Sequence, residues 1–260
     1  MDSATTSADA PIGVFDSGLG GLTVWRAIRE RLPAESIIYL GDGAHCPYGS
    51  RSRSEIVEYS DRAVGELLEA GCKLIVVACN TATAAAIDFL RAKYSEVEIV
   101  GMEPAVKPAC QLTSSGVVGV LATERSLEGD LFHRTAAKYS DNVRVIARFG
   151  RGFVELVEQD MEGSPEAESV VREVVEEMIE EGVDQIVLGC THYPFLIPAL
   201  KSIAPDVNII DPSPAVAHRV AQLLLQRSML RCEDGASPIF EFRSFADASY
   251  CEKLRRKARQ

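Results

Sequence analysis

Short apolar runs alternate along this chain with longer stretches whose apolar residues recur every three or four positions. PIGVFD (11–16), SIIYLGD (36–42) and LIVVAC (74–79) read as buried strands. Between the first two, GLTVWRAIRERL sets Leu22, Trp25, Ile28 and Leu32 at helical spacing. SEIVEYSDRAVGELLEAG carries an apolar stripe through Ile56, Val57, Val64, Leu67 and Leu68, and Gly71 marks its end. In the second half, GVVGVLAT (116–123) and QIVLGC (185–190) read as strands. The segment SPEAESVVREVVEEMIEEG opens on Ser164 as a helix cap, with Pro165 at the first helical position. Its stripe runs through Val170, Val171, Val174, Val175, Met178 and Ile179. Strands that alternate with helices predict an α/β fold, a mostly parallel sheet with helices on both faces.

The two halves also resemble each other. IVVACNT from Ile75 aligns with IVLGCTH from Ile186 at an offset of 111, and IVGMEPAV from Ile99 aligns with IIDPSPAV from Ile209 at an offset of 110. Buried parallel strands share apolar runs in any case. The shared cysteine and the shared Pro-Ala-Val favour duplication of one α/β unit. Ligands of open α/β sheets bind beyond the carboxyl ends of the strands. Cys79 and Cys190 both sit at such ends, so two units facing each other across a cleft would bring one thiol from each wall.

Composition narrows the function. The chain has 260 residues, 47% of them hydrophobic and 25% charged, which suffices for a sizeable core in one large or two small domains. A net charge of −11 argues against a nucleic-acid partner. No apolar stretch approaches ~18 residues, so no membrane span is expected. MDSATTSADAP lacks the charged and apolar regions of a signal peptide and reads as a loose tail. Seven cysteines without a C-x-x-C spacing read as reduced cytosolic thiols, with Cys46, Cys72, Cys110, Cys232 and Cys251 expected as small buried apolar residues.

Two opposed thiols suit a narrow chemistry. A thiol's reference pKa is ~8.5, so thiolate and thiol coexist near neutral pH after modest tuning. The thiolate removes a proton from one face of a carbon, the thiol returns one to the other face, and the stereocentre inverts. Asn80 and Thr81 follow Cys79, and Thr191 and His192 follow Cys190. Where such a segment opens a helix, free backbone N–H groups favour a carboxylate. FDSGLGG (15–21) forms a third strand-to-helix turn. There Asp16 is placed to take an ammonium group or to position a catalytic one, and Ser17 to donate to a carboxylate.

Other chemistries fit less well. G-x-G-G is not a dinucleotide fingerprint. No set of zinc ligands stands out, so no metal is expected. Cys190 and His192 spell a nucleophile and a base, but sequence neighbours meet in that geometry only where a turn arranges it. His45, His133 and His218 read as surface or packing residues, and KLRRKAR (253–259) as a solvated helix end.

The motifs GVFDSGLGGLTV, GD…PYGSRS, ACNTATA and LGCTHYP, in this order from Pro11 to about Val220, resemble glutamate racemases of the aspartate/glutamate racemase superfamily. The resemblance implies two similar α/β domains with the active site in the cleft between them. The chain would cross near Met102 and Asp211, giving a first domain of 1–102 with 211–260 and a second of 103–210. It implies a cytoplasmic enzyme, free of metal and pyridoxal phosphate, that interconverts L- and D-glutamate and feeds peptidoglycan synthesis. Cys79 and Cys190 match the catalytic pair, Cys79 acting on D-glutamate and Cys190 on L-glutamate. Asp16, Ser17, Tyr48, Gly49, Asn80, Thr81, Thr191 and His192 match substrate-binding positions. A small-molecule substrate is then the main partner, and whether the chain forms a homodimer stays open.

Gly43 and His45 depart from the family's more common Thr and Arg, and Gly150-Arg151-Gly152 stands where a Cys-Pro pair is common. Glu158 falls where some members carry an auxiliary acid. A helix glutamate facing solvent reads it equally well, and it stays outside the expected site. The competing readings are a superfamily relative acting on another substrate (an aspartate racemase or a one-thiol decarboxylase), an amino-acid binding protein, and a thiol hydrolase built on Cys190 and His192.

Overall fold

The computed structural model describes residues 7–103, 105–128, 143–232 and 236–260; His133 lies outside them. The chain forms two compact units. One comprises residues 1–46, 51–102 and 213–260, and the other residues 47–50 and 103–212. The tetrapeptide Pro47–Ser50 thus groups with the second unit, although it precedes most of the first.

The first unit holds a five-stranded parallel sheet in the order β4-β3-β1-β2-β9. Its strands are β1 (Ile12–Asp16), β2 (Ile37–Gly41), β3 (Leu74–Val77), β4 (Glu98–Gly101) and β9 (Phe240–Ser244). The helix α1 (Leu22–Arg31) buries Leu22, Trp25 and Ile28, as its spacing predicts. Trp25 packs on Phe240 and Phe242 with ring centroids 5.4 Å away in both cases, which ties α1 to the last strand. The helix α2 (Arg53–Glu69) starts one residue before the segment read as helical from Ser54. Ser52 and Glu55 cap it reciprocally, and Gly71, at φ +81°, takes the left-handed position that ends it.

The second unit holds a four-stranded parallel sheet in the order β6-β5-β7-β8. Its strands are β5 (Val117–Ala122), β6 (Arg144–Phe149), β7 (Gln185–Gly189) and β8 (Asn208–Ile210). The predicted α/β class with helices flanking parallel sheets is the observed one. The topology repeats: β1 to β4 and β5 to β8 occupy matching places, and β9 is an added edge strand. The aligned isoleucines pair across the sheets, Ile75 with Ile99 and Ile186 with Ile209. Gly13 faces Ile75 and Gly119 faces Ile186, so both copies place glycine at the same register position.

Three sequence expectations change. Ile179 is exposed, and the buried stripe of the helix Pro165–Glu180 is Ala167, Val171, Val175 and Met178, a narrower face. Lys257 is 1% exposed, so the basic C-terminal helix is not solvated throughout. Of the five cysteines expected as buried, only Cys72 is, and burial pushes its thiol up to about 12. Among the described residues no helix is long and apolar enough to cross a membrane.

Candidate active site

In the first unit, β1 and β3 are neighbours, and their carboxyl ends bring Asp16, Ser17, Cys79, Asn80 and Thr81 together. Asp16 is fully buried and its Oδ1 accepts the Gly18 N–H at 2.9 Å, which shapes the glycine turn entering α1. The Tyr39 hydroxyl donates to the Gly18 carbonyl at 2.7 Å and braces the same turn from β2. A Cβ at Gly21 would lie 2.6 Å from that of Asp16, so the turn closes only with glycine there. Beside it, the Asp42 N–H donates to the Asp16 carbonyl at 2.9 Å. His45 Nδ1 lies 2.8 and 2.9 Å from the two Asp42 carboxylate oxygens.

Cys79 is the N-cap of the helix α3 (Asn80–Lys93), and its sulfur accepts the Ala82 N–H at 3.4 Å. Its thiol donates to Ser17 Oγ at 3.5 Å. A sulfur at a helix N-terminus is favoured as thiolate by the free N–H groups and the dipole. Asn80 is 7% exposed, and its Oδ1 is a buried atom with no hydrogen-bond partner among the described residues. Such an acceptor is open to a donor from outside the chain.

In the second unit, β7 leads into Cys190, Thr191 and His192, all buried. Here a 3₁₀ turn, Tyr193–Leu196, intervenes before the helix Ile197–Ile203, whereas α3 starts immediately after Cys79. That turn brings sequence neighbours into contact: Cys190 Sγ lies 3.8 Å from His192 Nδ1. The other ring nitrogen, Nε2, lies 2.8 Å from Glu158 Oε1. Glu158 is therefore not a solvated helix residue. Because a carboxylate only accepts, the Nε2–H faces Glu158 and Nδ1 faces the thiol. Burial, and then the nearby Cys190, push the Tyr193 phenol well up, so it stays a neutral donor.

Tyr48, 1% exposed, and Gly49 form a short 3₁₀ turn in this unit, packed against the helix Glu124–Glu128. Sequence reading missed Thr123. β1 pairs Phe15 with Val77, and β5 pairs Leu121 with Leu188. Continued two residues past these pairs, the two registers set Ser17 opposite Cys79 and Thr123 opposite Cys190. Thr123 is thus the second copy's counterpart of Ser17. It is 5% exposed and its hydroxyl donates to Ser126 Oγ at 2.8 Å. The signal was present in the duplication, but the offset there is 106 rather than 111, because the loops between the strands differ in length.

Two parallel sheets of matching topology each end a central strand just before a buried cysteine, and one family matches the chain. The Asp/Glu/hydantoin racemase profile matches residues 12–220. The chain belongs to this family. Its relatives include a glutamate racemase of Roseiflexus sp., 49% identical over 222 residues that cover 85% of this chain and 82% of that one. Among solved structures, the Francisella tularensis glutamate racemase in complex with D-glutamate matches at a TM-score of 0.84 and 28% identity, covering 96% of this chain and 94% of that one. The Escherichia coli glutamate racemase, in complex with L-glutamate and the activator UDP-MurNAc-Ala, matches at 0.83 and 31% identity, covering 96% and 95%. Racemase family membership removes the binding-protein and hydrolase readings.

Proposed function

We propose that the chain interconverts L- and D-glutamate by a two-thiol proton transfer that needs no cofactor, acts in the bacterial cytoplasm and supplies D-glutamate for peptidoglycan. The observation that carries this reading is the thiol at the same strand end of both copies. Relatives named glutamate racemase support glutamate as the substrate. In the proposed cycle one sulfur, as thiolate, takes the α-proton as the C–H electron pair passes to the α-carbon. The other sulfur, as thiol, gives its proton to the opposite face of that carbon. The first sulfur is left protonated and the second ionised, ready for the reverse direction.

The surroundings of the two thiols fit different ways of making a thiolate. Cys79 has a helix N-terminus and the Ser17 hydroxyl. Cys190 has the imidazole of His192, oriented by Glu158. The substrate's ammonium group suits the unpaired Asn80 Oδ1 and the Asp16 turn. Its carboxylates suit the donors Ser17, Thr81, Thr191 and the Tyr48-Gly49 turn.

Enantiomers have equal free energy in water, so kcat/KM must fall equally in both directions in any mutant. Overall racemisation therefore cannot separate the thiols, but a half-reaction can. With a glutamate analogue carrying a leaving group on Cβ, only the first proton abstraction is required. Cys79→Ser should abolish racemisation yet still eliminate from the L-series analogue, and Cys190→Ser from the D-series one. Equal loss for both hands, in step with a lowered Tm, rejects the assignment. Dialysis against a strong chelator and treatment with hydroxylamine should leave racemisation intact; activity restored by zinc or pyridoxal phosphate would reject the mechanism.

A further inference from the structure

Glu158 is the last residue of a six-residue helix, Phe153–Glu158, too short to hold its own position in water. Its place is set by what its first turn rests on. Phe153 and Tyr193 are both fully buried, and their rings meet edge to face at 5.1 Å and 68°. The Tyr193 hydroxyl donates to the Gly150 carbonyl at 3.3 Å, and the Phe153 N–H donates to the same oxygen at 3.3 Å. At Gly150 an added Cβ would lie 2.6 Å from Tyr193 Oη, 2.7 Å from Phe153 Cδ2 and 2.8 Å from Tyr193 Cζ. Gly150 is not in the left-handed region, so this contact and not its backbone conformation demands glycine. Tyr193 in turn belongs to the catalytic turn itself, its N–H donating to the Cys190 carbonyl at 3.1 Å. One rigid seat therefore joins the start of the short helix to the turn that carries Cys190 and His192.

We infer that Gly150 and Tyr193 are positioning residues: their contact sets the reach of Glu158 to His192 and so governs proton transfer at Cys190 alone. The inference rests on the proposed two-thiol racemase and adds a control point on one thiol. Filling position 150 displaces the Tyr193 ring or lifts the helix. Either shift loosens the Glu158–His192 hydrogen bond, which holds the proton on Nε2. The imidazole then loses the fixed tautomer that presents Nδ1 to the sulfur. Cys79 draws on a helix N-terminus in the other unit and is untouched by this seat.

The test uses the full chain with Gly150→Ala and, separately, Tyr193→Phe, which adds no atom and carries the test if alanine prevents folding. Ring-nitrogen NMR shifts of His192 report which nitrogen bears the proton, independently of activity. Elimination from L-series and D-series analogues reports each thiol. Both variants should show a mixed tautomer at His192. L-series elimination should slow about tenfold, the scale of one charge-assisted hydrogen bond, with the D-series rate unchanged. Unchanged His192 shifts in both variants, or equal slowing of the two series, overturns the inference. Wild-type protein inert toward both analogues would instead refute the racemase reading, and the His192 spectra alone would then decide whether the seat fixes the imidazole.

Discussion

Asn80 shows at the level of a single residue how a binding site conflicts with folding. Its Oδ1 is buried without a partner among the described residues, which costs free energy in the empty protein and is recovered only when a ligand donor arrives. Asn80→Ala removes that acceptor. It should leave Tm unchanged or raise it, while KM for glutamate rises by about tenfold or more. Thermal unfolding and steady-state kinetics on one preparation check both halves; a lower Tm with an unchanged KM would make Asn80 a packing residue. The substrate's size is tested at the same scale. Moving the side-chain carboxylate by one methylene leaves fixed donors unpaired, so kcat/KM for aspartate should fall below that for glutamate by about 1–3 kcal/mol in barrier terms. Comparable values would refute the glutamate assignment.

At the level of elements, the entry to β5 depends on one carboxylate. Asp184, just before β7, accepts the Thr113 hydroxyl at 2.5 Å, the Ser114 N–H at 2.6 Å and hydroxyl at 2.8 Å, and the Ser115 N–H at 3.0 Å. Burial by itself raises this carboxyl. The Thr113, Ser115 and Ser114 hydrogen bonds together outweigh it and hold the group well below the usual carboxylate range. A depressed folded-state pKa stabilises the protein above the unfolded value of about 3.9, and that stabilisation is lost as pH falls toward the folded value. Asp184→Asn should therefore lower Tm clearly at pH 7, and the gap to wild type should narrow steadily below about pH 4. A gap that does not change with pH would mean that the turn is held by shape and not by charge.

For the first unit as a whole, the return of the chain is secured at the opposite end of the sheet from the thiol. Lys73 Nζ lies 2.6 Å from Glu35 Oε2, with both side chains essentially buried. The ammonium also donates to the carbonyls of Ala8 at 2.5 Å and Met229 at 2.8 Å, while the Arg231 N–H donates to Glu35 Oε1 at 2.9 Å. Three distant segments, around residues 8, 35 and 229–231, thus meet on one ion pair beneath β3. Lys73→Met would strand a buried carboxylate and should cost about 3–5 kcal/mol of stability by chemical denaturation, whereas Lys73→Met with Glu35→Leu should recover most of it. A single mutant as stable as wild type would show that the pair does not fasten the returning segment.

Local rules made much of this protein legible from its sequence. Short apolar runs and the 3.6 period, with caps at Ser164 and Gly71, produced the strand–helix alternation, because those signals lie within a few residues of where they act. The duplication placed both cysteines at strand ends, since the chain writes each copy contiguously through that stretch. Contacts between distant residues needed the tertiary structure. Thr123 was hidden by unequal loops until strand register aligned it with Ser17. Glu158 read equally well as an auxiliary acid or as a solvent-facing helix residue, and only the packing of its helix on Tyr193 brings its carboxylate to His192. The pairing of β9 with β2 and the Lys73–Glu35 pair unite positions far apart in the chain. No local period encodes such a meeting; it is decided by which buried charges, rings and backbone groups find partners when the whole sheet closes.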